Sequence, residues 1–112
     1  MVAPILRDPF KSNLERAYAQ RLDLLKRAGE IIDWRYEAMR FRVGGKVNLR
    51  DAFYTPDFLV ITGERVELHE TKGRWMEAAR VRIAAAASLF PWFAFKAVYR
   101  KKKEWTIEDV TP

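Results

Sequence analysis

Two segments of helical periodicity bracket a run of short β-rich ones, an order that leaves few architectures open to the chain. From Ser12 to Ala28, residues Leu14, Tyr18, Leu22 and Leu25 recur at spacings of three and four, so they share one helical face. Ser12 and Glu15 stand in the S-x-x-E register of a capping box, and Gly29 supplies the stop. A second helix is expected from Met76 to Phe90 on a run of alanines, with Met76, Ala79, Ile83, Ala87 and Phe90 as its buried stripe and Pro91 as its end. Between the two helices, Ile31 to Glu37, Arg40 to Val43, Lys46 to Leu49, Phe53 to Ile61 and Arg65 to Lys72 read as strands. Gly44-Gly45 reads as a tight hairpin turn, and Pro56 interrupts the Phe53–Ile61 strand near its start. Thr62-Gly63-Glu64 should reverse the chain, so that the strands on either side pair antiparallel. Phe93 to Tyr99 and Trp105 to Val110 supply strands after the second helix. The expected fold is therefore α+β or mixed α/β, a central mixed sheet flanked by helices.

Size and composition narrow the function. At 112 residues the chain is expected to form one domain, 1–112, with residues 1–11 irregular because Pro4 and Pro9 punctuate them. The absence of cysteine excludes a disulfide framework, a thiolate metal site and a cysteine nucleophile. No apolar run approaches the roughly 18 residues of a membrane span, and residues 1–10 lack the apolar stretch of a secretory signal. A soluble, unexported protein with no membrane partner is expected. Lys plus Arg total 21 against 15 Asp plus Glu, a formal charge of +6, which suits a polyanionic partner such as nucleic acid.

The chemistry concentrates in Tyr54-Thr55-Pro56-Asp57-Phe58-Leu59-Val60 and Glu67-Leu68-His69-Glu70-Thr71-Lys72-Gly73. Side chains two apart on a strand share a face, so Glu70 and Lys72 project together while His69 and Thr71 point the other way. A hairpin between the two segments brings Asp57 near them. Two carboxylates so placed repel and raise each other's pKa unless a cation intervenes. Hard oxygen ligands on a rigid sheet suit Mg²⁺, which binds through one or two carboxylates and keeps waters for a phosphate substrate. Glu70 and Lys72 can equally form an ordinary charge pair on a solvated strand, with Asp57 as a turn residue after Pro56.

This P-D, a dozen residues, E-T-K arrangement matches the PD-(D/E)xK nuclease motif. Together with Ser12 to Ala19 (SNLERAYA), Tyr54 to Val60 (YTPDFLV), His69 to Gly73 (HETKG) and the Arg/Ala-rich helix ending at Leu89-Phe90-Pro91, the chain resembles small phage-encoded nucleases of that superfamily, and among them the phage junction-resolving endonucleases. The resemblance runs from about Ser12 to Val110. It implies a restriction-endonuclease-like core and Mg²⁺-dependent (or Mn²⁺-dependent) hydrolysis of DNA phosphodiesters, with no small-molecule cofactor. Branched DNA such as a Holliday junction is the substrate it suggests. Asp57, Glu70 and the Thr71 backbone carbonyl would hold the metal, and Lys72 would be the catalytic lysine. Glu15 stands where several such families place a further catalytic, metal-holding glutamate, and it is also the third residue of the capping box. Two coordinated cuts imply a homodimer, and the phage relationship implies the cytoplasm of an infected or lysogenic bacterial host. A protein of the same ancestry that binds DNA for recombination or packaging without cutting it is the alternative.

Other residues carry weaker expectations. His69, the single histidine, is expected to be a packed or surface residue rather than a catalyst. Lys11, Arg16, Arg74, Arg80, Lys101, Lys102 and Lys103 are candidate DNA phosphate contacts, with Arg82, Lys46, Arg50 and Arg100 as possible extensions of that footprint. The same charges equally suit a solvated face. Trp75 and Trp92 are expected in the core or a dimer contact.

Overall fold

The computed structural model describes residues 8–47, 50–73 and 77–111. Arg74 and Trp75 lie outside them, as do the side chains of Lys46 and Arg50. The first helix, α1 (Asn13–Arg27), begins where the Ser12 hydroxyl accepts the Glu15 amide at 3.0 Å. It ends at Gly29, whose φ of +78° is the left-handed conformation that glycine adopts without steric cost.

Among the described residues seven strands follow in two sheets: β1 (Asp33–Tyr36), β2 (Phe41–Val47), β3 (Arg50–Tyr54), β4 (Phe58–Ile61), β5 (Val66–Thr71), β6 (Ala94–Lys101) and β7 (Glu104–Asp109), with α2 (Glu77–Leu89) between β5 and β6. The main sheet runs β1-β4-β5-β6-β7, and β2 pairs with β3 alone. Among the described strands only β5 and β6 pair in parallel, and α2 makes the crossover between them. The fold is α+β, a five-strand mixed sheet with two helices and a two-strand ribbon, as the order of sequence patterns implies. Among the described residues no helix is long and apolar enough to cross a membrane.

Two segments depart from the sequence reading. Gly44 and Gly45 do not turn the chain. β2 continues through them to Val47, with register shifts against β3 on either side of Gly44. Glycine inside a strand marks a bulge or a close backbone approach as readily as a turn, and a Cβ on Gly44 would stand 3.6 Å from that of Ala52. The single Phe53–Ile61 strand is in fact two strands in different sheets, split at Thr55-Pro56-Asp57, because proline has no amide to continue the ladder. This break frees Asp57 from strand pairing at the mouth of β4.

Each face of the sheet has its own core. On the α1 side, Tyr18, Ala19 and Leu22 pack on Phe58, Val60 and Val98, with Trp34, Tyr36 and Trp105 at the margin. On the α2 side, Ile83, Ala86 and Ala87 pack on Leu68, Phe95, Phe41 and Tyr54. β5 serves both: His69 meets Tyr18 of α1, while Leu68 joins the α2 cluster and Glu70 meets Tyr54. Trp92 belongs to neither core. It is 78% exposed in the turn before β6, so of its two expected places, core or dimer contact, the core is excluded.

Candidate functional site

Pairing within the main sheet aligns β4 against β5 with Phe58 opposite His69, so Asp57, one residue earlier, falls beside Glu70 and Thr71. The Asp57 Oδ2 accepts two hydrogen bonds from Thr71, 2.9 Å from its backbone amide and 2.8 Å from its hydroxyl. From the opposite face of β5, Glu70 extends into the same space. Its Oε2 accepts the Tyr54 hydroxyl, and its Oε1 lies 3.6 Å from the Lys72 ammonium. Asp57, Glu70 and Lys72 thus converge as their spacing implies, and they line a cleft of about 260 Å³ with Lys11, Tyr54 and Arg82.

Burial governs the electrostatics of this cleft. Glu70 is 7% exposed. Desolvation, and then the charge of Glu70, pushes the Asp57 carboxyl well above the usual carboxylate range, against the pull of the Thr71 hydrogen bonds. Desolvation also raises Glu70, opposed by the Tyr54 hydroxyl and the Lys72 charge. The Tyr54 hydroxyl is itself pushed far up by burial and by Glu70, so it remains a donor. Burial thus outweighs the favourable contacts at both carboxyls.

Glu15 is buried but committed elsewhere. Its Oε1 accepts the Lys11 amide at 2.7 Å and the Tyr36 hydroxyl at 2.9 Å. The capping box is thus formed on the Ser12 side, while the carboxylate reaches the residue before the cap instead of Ser12 itself. Glu15 still lies near enough to add to the negative field on Asp57. Among the described residues no three His, Asp or Glu side chains gather as a metal-holding group.

Two participants escape a reading of the motif. Tyr54 lies on the other sheet, and only the break at Pro56 folds it back over Glu70. Glu37 has a φ of +46°, a conformation that a non-glycine residue adopts at a cost. Its amide donates to the Asp57 carbonyl at 2.8 Å, and its carboxylate holds the Lys11 ammonium at 3.1 Å on the rim of the cleft. Its neighbour Tyr36, whose side chain faces Glu15, was legible only as a strand residue.

The cations expected on DNA are dispersed. Lys11 and Arg82 line the cleft. Arg16 is engaged by Asp8 and Asn13. Arg80 lines a separate groove beside Glu108, and Lys101, Lys102 and Lys103 are exposed at the β6–β7 turn. His69 is packed, as expected, between Tyr18 and Glu67. Comparison of the chain with protein-family models, with curated proteins and with solved structures finds no match.

Proposed function

We propose that the chain is a metal-dependent endodeoxyribonuclease hydrolysing phosphodiesters of branched or duplex DNA. The observation that carries this reading is the convergence of Asp57 and Glu70 in one cleft beside Lys72, with both carboxyls raised by burial. Such a pair calls for a cation, and hard carboxylate oxygens with room for water suit Mg²⁺, for which Mn²⁺ can substitute. Asp57, Glu70 and the Thr71 carbonyl would hold it. When bound, a divalent ion supplies Lewis acidity and makes a coordinated water more acidic.

The protein's own groups do the positioning. Thr71 fixes Asp57, and Tyr54 fixes Glu70. As water oxygen bonds to phosphorus and the bond to the leaving sugar oxygen breaks, negative charge grows on the phosphate oxygens. Lys72 holds an ammonium beside them, where the partly buried setting strengthens its effect. Lys11 and Arg82 on the rim attract the DNA backbone. A homodimer supplies the second cut of a junction, and the place of action is the cytoplasm of a phage-infected or lysogenic bacterium. Both extensions rest on the resemblance alone.

A second reading, a non-cutting DNA binder of nuclease ancestry, uses the basic surface and needs no metal at Asp57 and Glu70. Linear duplex, single strand, flap and four-way junction, each incubated with Mg²⁺ or EDTA, separate the two. The nuclease reading expects cutting that EDTA stops and that Asp57→Ala or Lys72→Ala lowers at least a hundredfold, with circular dichroism unchanged. Parental cutting by either variant refutes it. Glu15→Gln that cuts normally but melts lower assigns Glu15 to the helix start alone.

A further inference from the structure

The β6–β7 hairpin reaches beyond the sheet at the end where the cleft lies. β5 stops at Thr71, opposite Val98, and the Lys72 amide still bonds the Val98 carbonyl at 2.9 Å. β6 and β7 continue for three more pairs, Tyr99 with Thr106, Arg100 with Trp105 and Lys101 with Glu104. The ribbon is anchored up to its second-last pair: the Trp105 ring packs 5.0 Å from that of Tyr18 in the core, and the Arg100 guanidinium lies 4.9 Å from the Trp105 ring centre. Its tip is cationic: Arg100, Lys101, Lys102 and Lys103 are all exposed, with Glu104 the one acid among them.

The tip is also built against local preference. Lys102 and Lys103 have φ of +48° and +69°, the pattern of a two-residue type I′ turn. That turn favours Asn-Gly, and each lysine there is held in a conformation that L side chains adopt at a cost. Strain retained at two adjacent exposed positions, both charged alike, calls for a role that a polar turn would not serve.

We propose that this ribbon is a docking arm for double-stranded DNA. Its placement relative to the cut rests on the nuclease reading, but its binding role does not. A two-stranded β-ribbon fits the major groove of B-form DNA, about 12 Å wide, where its lysines meet the flanking phosphates. The deep, narrow major groove of A-form RNA excludes it, and a single strand offers no groove. From the level of Lys72 to the tip is three to four residues, about 10–13 Å at 3.3 Å per residue. On the nuclease reading the tip therefore stands about 10–13 Å from the level of the cleft.

The Lys102→Asn/Lys103→Gly double variant removes two charges and installs the preferred turn, so it should melt at or above the parent. Anisotropy of labelled DNA duplex, the matching single strand and an RNA duplex is measured in EDTA from about 50 to 200 mM salt. The expected result is a drop of about two in the salt slope and about tenfold weaker binding on the DNA duplex, with much smaller changes on the other two. Parental affinity and slope on the DNA duplex overturn the arm. So does an equal loss on single strand or RNA, and so does a parent that binds no DNA. A parent that binds duplex through the ribbon yet cuts nothing with Mg²⁺ refutes the nuclease reading and leaves the arm standing.

Discussion

His69 lies 2.6 Å from the Tyr18 hydroxyl through Nδ1 and 2.8 Å from Glu67 through Nε2. A carboxylate only accepts, so the Nε2 proton faces Glu67. His69, and then Arg65, hold the Glu67 carboxyl down at about 2, against an ordinary value of 4.5. Between those values the folded state binds fewer protons than the unfolded one, so the contribution of Glu67 is complete above pH 4.5 and is lost as pH falls toward 2. Glu67→Gln should cost about 1–3 kcal/mol at pH 6, and the gap to the parent should close by about pH 2, as read from denaturant melts across that range. A constant gap would assign the cost to packing. At this scale the sequence was legible where spacing along one strand decides the geometry: Glu70 and Lys72 share a face because they are two apart. It was silent on Tyr54 and Glu37, whose places depend on the break at Pro56 and on a left-handed backbone that glutamate does not advertise.

Elements were legible where their ends are chemically marked. Ser12 and Gly29 bound α1 because a hydroxyl can accept an orphan amide and glycine can take positive φ. A Cβ on Gly29 meets nothing within 4 Å, so Gly29→Ala isolates the backbone cost. It should destabilise by about 1 kcal/mol, measured by chemical denaturation, and Gly29→Asn by less, since asparagine tolerates that conformation. Gly44-Gly45 shows the opposite case. Two glycines signal departure from regular backbone without saying whether the chain reverses or bulges, and only the β3 partner, unknown to a local reading, decides it. The split of β3 from β4 has the same origin: proline announces an interruption, and tertiary packing determines that the halves join different sheets.

For the whole molecule, Phe58 is the point on which the α1 side turns. Fully buried on β4, it packs against Tyr18, Trp34 and Tyr36, ring centres 5.4, 5.7 and 5.5 Å away, one residue from Asp57. Phe58→Ala should cost about 3–5 kcal/mol, a large share of the stability of a domain this size, and calorimetry would show the fall in melting temperature. Phe58→Leu should cost less, because more of the volume stays filled.

The parallel pairing of β5 with β6 has a consequence for how the protein is made. Chain emerges from the ribosome in order, and the β4–β5 hairpin can close on itself, but the other edge of β5 stays open until α2 and then β6 have been synthesised. During that interval the flank beside Glu70 and Thr71 is a bare ladder of amides and carbonyls, the one moment when this strand is available to a neighbouring nascent chain. Emergence and docking of β6 closes that window and completes the support beneath Lys72.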